Sequence, residues 1–283
     1  MSSDRVTMGY QGNPGSFSLQ ALAEFMLDSN PYRAVPYPTF AAAIEAFDRR
    51  AVDEVFLPVE NNNSGRVDGM HTLLPHINGW IAGEHFLHVQ QCLLVIPGAT
   101  LSSVQEVWSQ KPAIDQCIGN INAHKWRVTF TDDTALAAKK VEASGRSDVA
   151  AIASPVAGQI HGLINLGNYA DNPENHTRFV RIVHPSRQNA FLPDEKDDCT
   201  TMVVVSSSLA DNPVSLFGAL AEQQLMPTRM ERMIDGAFMP RELIMDLPGH
   251  LKSVPIRACL QSWKSNGIRF QVKGCFKAQP HPV

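Results

Sequence analysis

Short apolar runs alternate with helix-periodic segments through the first 185 residues, and this constrains the chain more than any other feature. RVTMGY reads as a strand and SFSLQALAEFML as an amphipathic helix, with Ser16 or Ser18 available as its cap. RAVPY, then the Ala-rich TFAAAIEAFDRR with Thr39 as cap, then EVFLPV repeat the pattern. Such repetition predicts a mixed or parallel sheet with helices on both faces, because parallel strands need a crossover between them. The pattern then starts again. HFLHVQQCLLVIP is a long strand or a strand pair, and VQEVWS, RVTFT and DVAAIAS are further strands. PAIDQCIGNINAH, DDTALAAKKVEA and SPVAGQIHGL are helical between them. Two α/β lobes are therefore expected within residues 1–185.

Residues 186–199, SRQNAFLPDEKDDC, are polar and read as a linker. Beyond them, TTMVVVSSS, NPVSLFGALAEQQ, MPTRMERM, RELIMDLPG, HLKSVPIRACLQSWKSN and IRFQVKGCF give the order βαββαβ, a ferredoxin-like arrangement. By analogy, a C-terminal module of this kind is a regulatory or dimerising unit.

Hydrophobic residues make up 44% of the 283 and charged residues 18%, enough for a packed core. The formal charge is −4 and no Lys/Arg block occurs, which argues against nucleic acid as a partner. The five cysteines form no CxxC pair and suggest reduced thiols in a cytoplasmic protein. MSSDRVTMGY has no apolar signal core and no run of about 18 apolar residues exists, so neither secretion nor membrane insertion is expected. His85 and His88 face opposite sides if they lie on a strand, so no metal site is expected there.

Three loops carry candidate chemistry. GYQGNPGSFS joins a strand to a helix start and reads either as a tight turn or as an anion site on free helix N–H groups. In LPVENNNSGRVDGMHTLLP, amides and a hydroxyl gather at the carboxyl end of a strand. Open α/β sheets bind ligands at that end, although turn propensity alone also explains the asparagines. NHTRF places a hydroxyl, a guanidinium and an aromatic ring in succession at the mouth of a strand. An ordinary solvent-facing strand would read the same way.

Taken together these segments resemble the prephenate dehydratase family. MGYQGNPGSFS resembles its YxGPxGTFS, LPVENNNSGRV its VPIENSxxGxV, and DDTALAAKKV its STAEAAKxV. VAAIASPVAGQIHGL resembles AAIASxxAAxxYGL, and DNPENHTRF resembles DxxxNxTRF. The resemblance implies a two-lobed, periplasmic-binding-protein-like catalytic region over 1–185, a linker at 186–199 and a ferredoxin-like ACT domain over 200–283. It implies loss of carbon dioxide and hydroxide from prephenate, giving phenylpyruvate, without metal or organic cofactor. Thr177, Arg178 and Phe179 would be catalytic, with Thr177 as general acid, Arg178 on a substrate carboxylate and Phe179 walling the cleft. Ser16, Asn61, Ser64, Thr134 and Ser154 would bind substrate.

The chain departs from the family pattern in places. Gly12-Asn13-Pro14-Gly15 stands for GPxG, Glu60-Asn61-Asn62 for ENS, and Ser109-Gln110-Lys111-Pro112 lacks the His of SHPQ. In the C-terminal module, Glu231-Arg232-Met233-Ile234 stands for the effector-binding ESRP, so an amino-acid effector is expected to bind weakly at Glu231 and Arg232. A homodimer or homotetramer is expected. The alternatives are an arogenate dehydratase, a non-aromatising prephenate decarboxylase and a non-catalytic small-molecule binding protein.

Overall fold

The strand and helix starts follow from local chemistry. In a computed structural model that describes residues 5–27, 31–206, 212–234, 240–280 and 282, β1 (Val6–Gln11) leads into α1 (Phe17–Phe25). Of residues 233, 234, 240 and 241 only the backbone is described. The Ser16 hydroxyl caps α1 by accepting from the Leu19 N–H. After β2 (Tyr32–Tyr37), Thr39 caps α2 (Phe40–Asp48) through the Ala42 N–H, as the sequence suggests. β3 (Glu54–Asn61) is buried along almost its whole length, and the two-residue β4 (Gly65–Arg66) follows. The helix after it is only one turn, α3 (Met70–Leu73), because Pro75 diverts the chain into a 3₁₀ turn.

HFLHVQQCLLVIP proves to be a strand pair, β5 (Trp80–His88) and β6 (Cys92–Val95). β7 (Glu106–Ser109) precedes a helical stretch that breaks at Cys117 into α4 (Lys111–Asp115) and α5 (Ile118–His124). β8 (Arg127–Phe130), α6 (Thr134–Ser144), β9 (Val149–Ala153) and α7 (Pro155–Ile160) come next. β10 (Ile164–Asn168) has no counterpart among the expected strands, since half-exposed INLGN shows no clear alternation. β11 (His176–Val183) carries the NHTRF motif. The C-terminal order is β12 (Cys199–Val205), α8 (Pro213–Glu222), β13 (Arg229–Ile234), β14 (Pro240–Pro248), α9 (Val254–Ser265) and β15 (Phe270–Lys277).

The chain divides into two compact units, each an α/β assembly. The first comprises residues 1–52, 56–65 and 86–179. It contains two sheets. In one, β11, β3, β1 and β2 lie side by side, with β1 and β2 parallel. The other has the order β10-β6-β9-β7-β8, parallel at its β9-β7-β8 end. The chain passes between the two sheets twice, at residues 89–91 and 169–175, and the Val89 N–H donates to the Asn175 carbonyl at 2.7 Å to tie the crossings together. Met8, Leu22, Met26, Phe56 and Phe179 form the core beneath α1. Each such side chain stabilises the fold by about 1.5–3 kcal/mol when fully buried.

The second unit comprises residues 53–55, 66–85 and 180–283. Its C-terminal strands order as β13-β14-β12-β15, antiparallel throughout, and Leu216, Leu220, Ile256 and Trp263 of α8 and α9 cover one face. Glu54, fully buried, receives Arg181 at 2.6 Å and Arg187 at 2.9 Å, and both guanidinium groups lie over the Phe191 ring. This pins Pro185–Ala190, which overlaps the start of the linker expected at 186–199, as a 3₁₀ helix. β15 meets β5 through the single pair Gly274–Ile81. A Cβ at Gly274 would strike the Ile81 carbonyl oxygen and approach its Cβ to 2.7 Å. One residue earlier, Lys273 is the extra residue of a bulge against β12 and donates to the Ile77 carbonyl at 2.6 Å.

Gly274→Ala is expected to destabilise the protein by about 2 kcal/mol or more, as overpacking against backbone does. A thermal melt that coincides with that of the parent protein would show that the contact relaxes without cost.

Candidate active site

Asn61, the last residue of β3, is 8% exposed and uses both ends of its amide. Its Oδ1 accepts from the Asn63 N–H at 2.9 Å, the Ser64 N–H at 2.9 Å and the Ser64 hydroxyl at 3.1 Å. Backbone N–H groups can only donate, so the oxygen end must face the loop. The Nδ2 end then points at the second crossing. It donates toward Asn175 Oδ1 at 2.7 Å, Thr177 Oγ1 at 2.9 Å and the His176 carbonyl at 3.1 Å, two hydrogens shared among three acceptors. Asn62 doubles the attachment. Its N–H donates to the His176 carbonyl, and its Oδ1 accepts from the His176 N–H at 2.8 Å.

The orientation of Thr177 follows. Its oxygen accepts from Asn61, so its own hydrogen is left for an acceptor other than Asn61, and that polarised O–H is a better donor than an isolated threonine. The amide network continues outward. Asn175 donates to Gln116 Oε1 at 3.0 Å, and Gln91 donates to the same oxygen at 2.8 Å. Sequence reasoning passed over Asn175 and Gln116, although Asn175 is the Asn of DxxxNxTRF. The His176 ring stacks on His88 at 4.9 Å. Desolvation, and next the neighbouring His88, hold its pKa below the ordinary histidine value.

Strand alternation separates the three residues of the TRF motif. Thr177 and Phe179 share one face of β11, and Arg178 has the other. Phe179, 2% exposed, stacks on Phe56 at 5.5 Å within the core beneath α1. It supports the site from below rather than walling a cleft, because the face it shares with Thr177 closes over α1 one step along the strand. Arg178 is 5% exposed, lies 5.9 Å from the Phe86 ring centroid and has Glu60 Oε2 at 3.9 Å.

The glycine loop reaches the second sheet. Ser154 donates to the Gly15 carbonyl at 2.6 Å and accepts from the Ala157 N–H, so its hydroxyl acts as a helix cap and a tie. Gly15 has φ +94°, and a Cβ there would stand 3.0 Å from the Ala157 backbone. Asn13 donates to Asp133, the cap of α6, whose first residue is the buried Thr134. Asn61, Ser64 and Thr177 are thus brought into one hydrogen-bonded group. Ser16 and Ser154 cap helices on either side of the Gly15 contact.

A cavity of about 400 Å³ lies beside the amide network, lined by Asn63, Asp115, Gln116, Asp171, Asn172 and Asn175. Lys111 pairs with Asp115, and the Gly119 and Asn120 N–H groups bind Asp171, so both carboxylates are compensated. Glu231 and Arg232 belong to the second unit, where Glu231 meets Arg229 and Arg66. Met233 and Ile234 have side chains outside the described residues. Among the described residues no group of His, Cys, Asp and Glu could hold a metal ion, and no helix is long and apolar enough to cross a membrane.

Comparison with known proteins places the chain in a family. A bifunctional N-acyl-homoserine lactone acylase/prephenate dehydratase of Komagataeibacter europaeus is 32% identical, over 99% of this chain and 98% of its own length. Arogenate dehydratase/prephenate dehydratase 1 of Arabidopsis thaliana is 34% identical over 77% of this chain, which spans only 53% of that protein. The fold matches the prephenate dehydratase of Arthrobacter aurescens, solved in complex with L-Phe, with a TM-score of 0.80 at 21% identity, covering 98% of this chain and 93% of that one. The prephenate dehydratase family model matches residues 8–187, and the chain belongs to that family.

Proposed function

We propose that the protein is a prephenate dehydratase, a carbon–oxygen lyase that converts prephenate to phenylpyruvate, carbon dioxide and water. The observation that carries this reading is the hydrogen bond from Asn61 Nδ2 to Thr177 Oγ1. In the reaction, the electrons of the bond to the ring carboxylate enter the ring as carbon dioxide leaves. The electrons of the ring C–O bond depart with the hydroxyl oxygen, which gains a proton and becomes water. Aromatisation supplies the driving force, so the protein's task is to stabilise charge on the departing oxygen. Thr177 does this by donating a hydrogen bond to that oxygen, the proton that completes the water coming from solvent, and Asn61 enforces the direction of the donation. A preorganised donor of this kind is worth roughly 3–4 kcal/mol. Ser64 and the helix starts at Ser16 and Thr134 offer polar contacts to the substrate carboxylates, while Ser154 holds the Gly15 turn in place. Arg178 supplies positive charge behind the strand, where it must exchange Glu60 for a substrate carboxylate to bind one directly.

In this reading residues 1–185 form a two-lobed, periplasmic-binding-protein-like catalytic region with the substrate between its sheets. Residues 186–199 are a linker, and 200–283 an ACT domain used for assembly into a homodimer or homotetramer in the cytoplasm. Arogenate, the amino analogue, is the competing substrate, and the compensated Asp115 and Asp171 give its ammonium little advantage. A second reading comes from the relative matched end to end, which is also named as an N-acyl-homoserine lactone acylase. Thiol chemistry does not favour it here. All five cysteines are buried, and burial pushes the thiols of Cys117 and Cys259 up to about 12 and that of Cys199 to about 11.

Purified protein given prephenate is expected to produce the ultraviolet spectrum of phenylpyruvate and to leave an N-acyl-homoserine lactone intact. A non-aromatic product, or hydrolysis of the acyl amide without phenylpyruvate, would overturn the assignment. Thr177→Ala is expected to lower kcat by about 10²–10³ with little change in KM, and Thr177→Ser to retain most of the rate. Near-full activity of the alanine variant would remove Thr177 from the mechanism.

Regulation by phenylalanine is expected to be weak. Arg229 and Arg66 already engage the Glu231 carboxylate, so an effector ammonium must displace a guanidinium. Loss of two contacts lowers affinity by roughly a hundredfold. Calorimetric titration should give no saturation below about 100 μM, and micromolar binding would contradict it.

A further inference from the structure

The direction set at Asn61 does not stop at Thr177. Asn61 Oδ1 must face the Asn63 and Ser64 N–H groups, so its Nδ2 also donates to Asn175 Oδ1 at 2.7 Å. The nitrogen of Asn175 then faces Gln116 and donates to its Oε1 at 3.0 Å. Gln91 Nε2 donates to the same oxygen at 2.8 Å. Two N–H donors therefore converge on Gln116 Oε1, which has two lone pairs to receive them. Turning the Gln116 amide over would set its own NH2 group against both donors. Its nitrogen is left to face away from them, and Gln116 borders the cavity of about 400 Å³. All of these residues belong to the first unit.

Gln91 makes this contact with only half of its amide satisfied. It is 4% exposed, and its own Oε1 is buried with no hydrogen-bond partner among the described residues. A buried acceptor left unmet offsets what the donated bond contributes, so the amide adds little net stability over an apolar side chain of similar size. The backbone does not depend on it either. The Gln91 carbonyl accepts from the Tyr169 N–H at 2.8 Å, and the Gln116 carbonyl from the Asp171 N–H at 2.8 Å. Both residues are thus tied to the second crossing whatever side chain stands at position 91. What the Gln91 amide adds is the direction of its neighbour. Without it, Asn175 alone would hold the Gln116 side chain, and a carboxamide held by one bond can rotate.

We propose that Gln91 is a positioning residue for the dehydratase reaction: together with Asn175 it locks the Gln116 carboxamide so that its nitrogen offers hydrogens to an acceptor oxygen of the substrate in the cavity. A keto or carboxylate oxygen can accept these hydrogens, whereas an ammonium group cannot. Asp115 and Asp171 border the same space, with Lys111 on the first and the Gly119 and Asn120 N–H groups on the second. The inference rests on the dehydratase reading for its kinetic consequence, while the lock on Gln116 is independent of that reading.

The test compares Gln91→Leu, Gln91→His, Gln116→Leu and the double variant Gln91→Leu/Gln116→Leu with the parent protein by two readouts. The first needs no activity and follows the side-chain NH2 resonances of Gln116 in proton–nitrogen correlation spectra. Gln91→Leu is expected to shift them with little change in the melting temperature. The second is steady-state turnover of prephenate. Gln91→Leu is expected to raise KM about fivefold with kcat changed less than about twofold, because the Gln116 contact serves substrate and transition state alike. Gln91→His, whose ring N–H can donate to the same oxygen, is expected to recover most of the loss. In the Gln116→Leu background, Gln91→Leu is expected to change KM by less than about twofold more. If the parent protein does not turn over prephenate, the dehydratase reading fails while the resonances still decide the lock. Unchanged Gln116 resonances in Gln91→Leu overturn the lock. A KM equal to the parent's in Gln91→Leu, or the same rise in KM in the Gln116→Leu background, overturns its role in the reaction.

Discussion

The site depends on one carboxamide. Asn61 can satisfy both of its ends only if its oxygen turns to the Asn63 and Ser64 N–H groups and its nitrogen to Thr177 and its neighbours. Reversing the amide would set Nδ2 against two N–H donors and leave a buried side chain with mismatched partners, at a cost of about 1–3 kcal/mol for each. The loop conformation and the direction of the Thr177 hydroxyl are therefore a single choice. Everything around the hub maintains it. β3 delivers Asn61 at its carboxyl end, β11 starts beside it, and Asn62 and His176 exchange backbone-to-side-chain bonds across the same junction.

The fold brings these parts together because the chain crosses twice between the two sheets of the first unit. Both crossings are short, and one backbone bond joins them at Val89 and Asn175. Gln91 and Asn175 share the Gln116 side chain, so the second sheet's helices are tied to the same network. Motion of one sheet against the other would strain these amides before it disturbed either hydrophobic core. That makes the junction, where the proposed chemistry lies, the place where a shift between the sheets would be felt.

Much of the architecture was legible in the sequence because its signals are local. Helix caps at Ser16 and Thr39 and the βαββαβ order of the C-terminal region follow from periodicity and capping chemistry. β10 was not legible, since a half-exposed strand with Gly167 inside it lacks a hydrophobic pattern. The same limit applied to the site. Thr177 and Asn61 could be picked out by motif, yet their mutual hydrogen bond spans 116 positions and no local pattern encodes it. Phe179 was misjudged for a related reason. Adjacency in TRF suggested a common role, but alternation along β11 sends Arg178 to the opposite face and buries the ring under α1.

The central claim is that Asn61 acts through Thr177, and a double-mutant cycle on kcat with prephenate tests it most directly. If Asn61 serves to direct the Thr177 hydroxyl, removing it from a protein that already lacks that hydroxyl should cost little. The Asn61→Ala/Thr177→Ala variant should then be no more than about threefold slower than Thr177→Ala alone. Losses that multiply, with each substitution lowering the rate as much in the variant background as in the parent, would contradict the account.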